Sequence, residues 1–89
     1  MDVKQAVSSA KTYIADLYAD EDLRNLGLEE VELDSLTNEW IVTIGFSRPW
    51  DEPKNTLAAL ASSSGPRRAF KVVRISNASK DVVSVKNRE

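Results

Sequence analysis

The sequence contains neither cysteine nor histidine. The absence of cysteine excludes a disulfide framework, a thiolate zinc site and a cysteine nucleophile. The absence of histidine removes the side chain that most often serves as general base near neutral pH and as ligand of transition metals. The chain also lacks a glycine-rich phosphate loop and a serine in a nucleophile elbow. We therefore expect a protein that is not an enzyme and that has no catalytic, cofactor-binding or metal-binding residues.

Long hydrophobic runs are missing as well. No stretch approaches the roughly 20 consecutive apolar residues that a membrane-spanning helix needs, so we expect no membrane contact. The first residues, Met1 to Gln5, lack the basic start and the apolar core of a signal peptide. These features predict a cytoplasmic protein, and secretion after removal of a leader stays open as the alternative.

The length and the charge distribution set two further limits. A chain of 89 residues predicts a single domain over 1–89. Folding of a chain this size buries roughly 60–65% of the surface that the unfolded chain exposes, so we expect a thin core. Residues 1–52 carry twelve acidic and four basic side chains, whereas residues 53–89 carry two acidic and eight basic ones. Such asymmetry marks either a nucleic-acid contact or neighbouring strands of opposite charge that attract each other.

The first element that the pattern predicts is a helix from Val3 to about Ala19. Asp2 and Gln5 have the spacing of a capping box, in which each side chain accepts a hydrogen bond from the other residue's backbone. Apolar residues then recur at helical spacing and form a stripe that should face a sheet. The stripe consists of Val3, Ala6, Val7, Ala10, Ile14 and Leu17.

The remaining regular elements are predicted to be four strands. The strongest signal is the alternation over 39–48, which directs Trp40, Val42, Ile44 and Phe46 toward the helix. Further strands are predicted at 29–34, 67–76 and 82–86, and a turn is predicted around Gly27. The fold class is therefore α+β, with one N-terminal helix packed on a four-stranded antiparallel sheet.

A long flexible loop is predicted at about 49–66. Pro49 and Pro53 stop strand pairing, and the serines at 62–64 precede Gly65. Loops of this length in a small domain are often functional. Trp50, between the two prolines, is either an exposed anchor for a partner or a plug at the end of the sheet.

This arrangement resembles small bacterial domains of the PepSY-like or cystatin-like kind. The leading helix, the strand from Trp40 to Phe46 and the closing pair of strands at 70–75 and 81–85 carry the resemblance. It implies a helix packed across an antiparallel sheet and a binding or inhibitory role. It supplies no active-site residues that could be transferred to this chain.

The leading functional hypothesis is a non-catalytic protein-interaction module, of an accessory or inhibitory, immunity-type kind. It would bind a partner protein, or a second copy as a homodimer, through the uncovered sheet face or through the 49–66 loop. An alternative for the sheet face is that the loop, with Leu57 and Leu60, folds back and covers it. The candidate partner-binding residues are Ile41, Thr43, Trp50, Val73 and Ile75.

The alternative hypothesis is a small nucleic-acid-binding protein that uses the basic C-terminal half. Strand alternation would split its cations between two faces, the net charge is −2, and no reader motif is present. A small-molecule substrate is not expected, because a chain this short has little room for a typical pocket. The cations are Arg67, Arg68, Lys71, Arg74, Lys80, Lys86 and Arg88.

Overall fold

The fold is an α-helix packed on one side of a four-stranded antiparallel sheet, seen in a computed structural model that describes residues 1–48 and 69–88. The strands lie in the order β1-β2-β3-β4, so each strand pairs with its neighbours in the sequence. The predicted α+β fold class is confirmed. The elements are α1 (Val3–Leu17), a short 3₁₀ helix (Ala19–Glu21), β1 (Arg24–Asp34), β2 (Glu39–Ser47), β3 (Ala69–Ser76) and β4 (Val82–Asn87).

Helix α1 begins where the capping box predicts. The Asp2 carboxylate accepts a hydrogen bond from the Gln5 backbone N–H at 2.8 Å, and Gln5 Oε1 accepts one from the Asp2 N–H at 2.9 Å. The helix ends at Leu17, two residues before the predicted Ala19. The chain tightens there into the acidic 3₁₀ turn, since carboxylates are unfavourable at the negative end of a helix dipole.

Strand β1 begins at Arg24, five residues earlier than predicted, and the predicted turn around Gly27 is wrong. Asn25 has a left-handed backbone with φ 57°, and the register with β2 shifts between Arg24 and Gly27 and again between Leu28 and Glu30. Such bulges place an extra residue in one strand and break the regular alternation. The sequence pattern in this half of β1 therefore lacks the signature of a strand.

The core lies between α1 and the two inner strands. Ala6 and Ala10 are small, so the helix backbone can lie close to the sheet. The predicted helix-facing side chains of β2 are confirmed, with Trp40 half-buried and its indole N–H donating to Asn77 Oδ1 at 3.0 Å. The core side chains with no exposed surface are Ala6, Ala10, Ile14, Val42, Ile44, Phe46, Val73 and Ile75.

Two of the predicted partner-binding residues, Val73 and Ile75, belong to this core. The β2–β3 register places Val73 opposite Val42 and Ile75 opposite Trp40. Residues directly opposite each other in an antiparallel pair point to the same face, here the helix side. Assigning Val73 and Ile75 to the uncovered face was therefore wrong. The register between β2 and β3 decides this, because a shift of one residue exchanges the two faces.

Some predictions concern residues that lie outside the described ranges. The 49–66 loop, Trp50, Arg67 and Arg68 are among them. In residues 1–48 and 69–88, no helix has the length and apolar character needed to cross a membrane.

Candidate interaction surfaces

The sheet face opposite α1 is called the far face here and includes Ile41, Thr43, Phe70, Val72 and Arg74. Ile41 lies between Glu32 and Arg74, and Thr43 lies between Glu30 and Val72. The prediction that Ile41 and Thr43 point away from the helix is therefore confirmed. Ile41 is half-buried, but only 4% of Thr43 is exposed. Thr43 consequently offers little surface to a partner.

Charge on the far face changes sign from one edge of the sheet to the other. Glu30, Glu32 and Asp34 lie on β1, and Lys86 lies on β4 at the opposite edge. The described strand cations of this face are Arg74 on β3 and Lys86 on β4, and neither strand is adjacent to β1. Attraction between adjacent strands explains only part of the charge asymmetry.

One cross-strand ion pair on this face joins β2 and β3. Arg74 Nη1 lies 3.3 Å from Glu39 Oε1, with 37% of the arginine side chain and 19% of the glutamate side chain exposed. Both side chains are half-buried and still contact solvent, which screens the charges and limits what the pair contributes to stability. The ion pair mainly fixes the position of the Arg74 side chain on the sheet and contributes little to the stability of the fold.

Three of the predicted nucleic-acid-binding cations come together on the far face. Arg74 and Lys86 both point to this side, since Arg74 is opposite Ile41 and Lys86 is opposite Val72. The Arg88 guanidinium carbon lies 4.0 Å from the centroid of the Phe70 ring, within the range of a cation–π contact. A basic area with one aromatic ring therefore borders β4.

The other cations are placed elsewhere. Lys71 points to the helix side, where its Nζ lies 5.6 Å from the centroid of the Tyr18 ring. Lys80 lies in the β3–β4 turn with φ 66°. Arg67 and Arg68 are outside the described residues. The predicted division of the basic residues is confirmed for those that the structure describes.

A second surface, which the sequence did not predict, is a groove between α1 and β1. Its volume is about 520 Å³, and its floor consists of Val3, Val7, Leu28 and Val31. Val3 and Leu28 are 45% and 42% exposed, respectively. We call this surface the α1–β1 groove. Its rim adds Lys4, Ser8, Lys11 and Thr12 from the helix.

The apolar strip of the groove continues to Leu33. Leu33 is opposite Trp40, as Val31 is opposite Val42, so both side chains point to the helix side. Leu33 is 44% exposed, since β1 is the outer strand and no described strand lies beyond it. The groove therefore runs beside the outermost of the described strands.

The sequence contained a signal for this groove. Val3 and Val7 extend the apolar stripe of α1 beyond the side chains that the core buries. When the apolar stripe of a helix is wider than the part that the core buries, the remaining apolar side chains indicate a further contact. The groove is not predicted because the sequence pattern assigns Leu28 to a turn. The prediction that Val31 faces the core is confirmed, and Val31 lines the groove as well.

Two kinds of site were sought among the described residues: a cluster of metal ligands and a buried polar group without a hydrogen-bond partner. Within 1–48 and 69–88, no three acidic side chains come close enough to hold a metal ion. In the same ranges, no buried side-chain nitrogen or oxygen lacks a hydrogen-bond partner. The described residues present an apolar groove beside the outer strand β1 and a charged far face.

Comparison with protein-family models, with curated proteins and with solved structures yields no match. The resemblance to PepSY-like and cystatin-like domains therefore stays a prediction. The function has to be argued from the surfaces of this chain alone.

Proposed function

We propose that the protein is a non-catalytic interaction module, accessory or inhibitory to a partner protein, and that it binds through the α1–β1 groove. The observation that carries the proposal is the exposure of Val3, Leu28 and Leu33 between α1 and β1, the outermost described strand. The far face, which the sequence favoured, is the weaker surface because Thr43 is buried and Ile41 is half-buried.

The energetics favour a contact at the groove. Burying exposed apolar surface contributes roughly 25 cal/mol per Å², and Val3, Leu28 and Leu33 are the apolar side chains here with surface left to bury. Protein interfaces commonly have an apolar centre surrounded by a polar rim. Lys4 and Lys11 supply such a rim along the helix.

Site-specific photo-crosslinking tests the proposal. A photoreactive amino acid is placed in turn at Leu28 in the groove, at Ile41 on the far face and at Ala15, an exposed control position on α1. We expect a protein adduct from Leu28 that is absent from Ala15, because only the groove position would contact the partner. The captured protein is then purified and its binding measured with the wild type and with Leu28→Thr, which should bind at least several-fold more weakly.

The outcomes separate the possible surfaces. Adducts at Ile41 without adducts at Leu28 would retain the interaction function but remove the groove from it. Identical adduct patterns at all three positions, or none at any, would contradict an interaction module that uses the described residues.

A second candidate function is nucleic-acid binding on the far face. The observation that favours it is the stacking of Arg88 on Phe70, beside Lys86. A labelled single-stranded oligonucleotide should then bind at low salt, lose affinity as salt rises, and bind less to Lys86→Glu/Arg88→Glu. Absence of binding at low salt eliminates this candidate.

A further inference from the structure

We propose that a hollow between β3 and β4 on the far face binds a nucleoside phosphate. The phosphate contacts Arg74 and Lys86, and the base stacks on the guanidinium group of Arg88. We call this surface the β3–β4 hollow. It lies on the opposite side of the sheet from the α1–β1 groove and at the other end of the strand order. The proposal therefore goes beyond the protein-interaction function and does not depend on it.

The β3–β4 hollow has the size of a ligand site. Its volume is about 650 Å³, and sites for small molecules commonly measure about 300–1,000 Å³. Val72 and Ser84 line it and are half-buried, whereas Lys86 and Arg88 line it and are exposed. A ligand can therefore reach both of these cations from solvent without any rearrangement of the strands.

Two cations of the hollow are placed to meet at one phosphate group. Arg74 on β3 is opposite Ser84, and Lys86 lies two positions farther along β4. Diagonal neighbours of this kind are about 7–8 Å apart, a distance that two long side chains can span together. Among the described residues that line the hollow, none is acidic. A phosphate there gains two charged contacts and can accept a hydrogen bond from the Ser84 hydroxyl.

The ion pair with Glu39 makes the two cations unequal. Arg74 Nη1 lies 3.3 Å from Glu39 Oε1. A guanidinium group has five N–H donors, so it can bind a carboxylate and a phosphate at the same time. The Glu39 charge nevertheless offsets part of the Arg74 charge. Lys86 should therefore be the stronger of the two phosphate contacts.

Arg88 supplies a flat surface for the base. Its backbone N–H donates to the Phe70 carbonyl at 3.2 Å, and its guanidinium carbon lies 4.0 Å from the centroid of the Phe70 ring. Bases stack on guanidinium planes as they do on aromatic rings. Arg88 is two residues beyond Lys86, which separates the base contact from the phosphate contact by about 7 Å along the strand. This separation suits a single nucleotide.

A long nucleic-acid strand is a poorer occupant than one nucleotide. Proteins that bind single strands follow the backbone over roughly 4–16 nucleotides. Lys71 does not extend the row of cations, because its ammonium group lies on the helix side, where it donates to Asn87 Oδ1 and faces the Tyr18 ring. Toward the other edge of the far face, Glu30 and Glu32 would repel further phosphates. The charge pattern therefore favours a short ligand.

The test uses ADP as the probe, without divalent metal. An NMR titration of the isotope-labelled full chain measures the Kd and identifies the backbone amides whose signals shift. We expect ADP to bind about tenfold more tightly than either adenosine or pyrophosphate, since only ADP makes both kinds of contact. The amide signals of Val72 and Ser84 should shift, whereas those of Ala6 and Ala10 in the helix should stay in place.

A pair of charge variants locates the phosphate contact. Lys86→Glu should weaken ADP binding by about tenfold or more, because an attractive contact becomes repulsive. Lys4→Glu is the matched control: it makes the same charge change at an exposed position on α1 and should keep most of the affinity. Circular dichroism confirms that each variant is folded.

A conservative variant tests the base contact. Arg88→Lys keeps the positive charge but removes the planar guanidinium group on which the base would stack. We expect ADP to bind several-fold more weakly to this variant, with pyrophosphate binding unchanged. Equal weakening of both ligands would mean that Arg88 contributes only charge, and would refute the stacked base.

Several results would overturn the proposal. Pyrophosphate that binds as tightly as ADP, or equal losses in Lys86→Glu and Lys4→Glu, would show a general attraction of anions. Single-stranded oligoadenylate that binds far more tightly than ADP would assign the hollow to nucleic acid, the second candidate function. Absence of ADP-dependent shifts would remove the site altogether. None of these results bears on the Leu28 crosslink, which tests the interaction function separately.

Discussion

The two faces of the sheet have different roles although both contain apolar residues. On the helix side, Val42, Ile44 and Val73 have no exposed surface. On the far face, Ile41 remains half-buried and lies between Glu32 and Arg74. The difference shows that hydrophobicity alone does not assign a strand residue to a core. The position of the helix, and the register that brings two strands together under it, make that assignment.

The largest expected effect is the difference in unfolding free energy between an isoleucine substitution on the helix side and one on the far face. Ile75→Ala should lower the free energy of unfolding by about 2–5 kcal/mol, because it leaves a cavity in the core. Ile41→Ala, the same change on the far face, should cost about 1 kcal/mol or less, since less surface is buried there. Urea denaturation measures both values. Equal losses would mean that the far face is packed as tightly as the core.

The next expected effect is at the N-terminus of α1, the helix that packs on one face of the sheet and not on the other. Asp2→Ala removes the N-cap acceptor for the Gln5 backbone N–H and should cost about 1 kcal/mol. Thermal unfolding followed by circular dichroism measures the change, with Thr12→Ala, at an exposed mid-helix position, as the control. A loss in the control as large as in Asp2→Ala would contradict a specific role of the cap.

An effect of similar size is expected at the boundary of the helix-side core. Trp40→Phe keeps the apolar ring but removes the N–H that donates to Asn77 Oδ1, at a cost of about 0.5–1.5 kcal/mol. A double-mutant cycle with Asn77→Ala isolates the bond from other effects of each change. Strict additivity of the two substitutions would show that the hydrogen bond contributes nothing.

The smallest effect belongs to the far face. The coupling between Arg74 and Glu39, measured by a cycle with Arg74→Met and Glu39→Gln, should be about 0.2–1 kcal/mol. It should shrink in 1 M salt, because exposed charges are screened. A coupling that is larger, or that salt leaves unchanged, would indicate that this pair is shielded from solvent and that the far face is covered.

The parts of the fold predicted correctly depend on local signals. The capping box of Asp2 and Gln5 fixes the start of α1, and regular alternation fixes the orientation of Trp40 to Phe46. Such signals span a few residues, so a single sequence contains them in full. Antiparallel pairing of consecutive strands follows from the predicted order of elements, in which one helix precedes all four strands.

The parts that were missed depend on relations between distant residues. The face of Val73 and Ile75 is set by the β2–β3 register, and the sequence between these strands contains no short hairpin motif that would predict this register. The beginning of β1 is concealed by its bulges. The groove needs both β1 at the sheet edge and α1 beside it, and neither relation is present in a local pattern.

The order of the strands has a consequence for how the chain folds. Residues 35–38 connect β1 to β2 and residues 77–81 connect β3 to β4, so both hairpins close over short loops. Residues 48–68 separate β2 from β3, so this pairing joins residues much farther apart in the sequence, and such non-local contacts form slowly. We therefore expect both hairpins to form early, and the meeting of β2 with β3, which also buries Val73 and Ile75, to limit the folding rate.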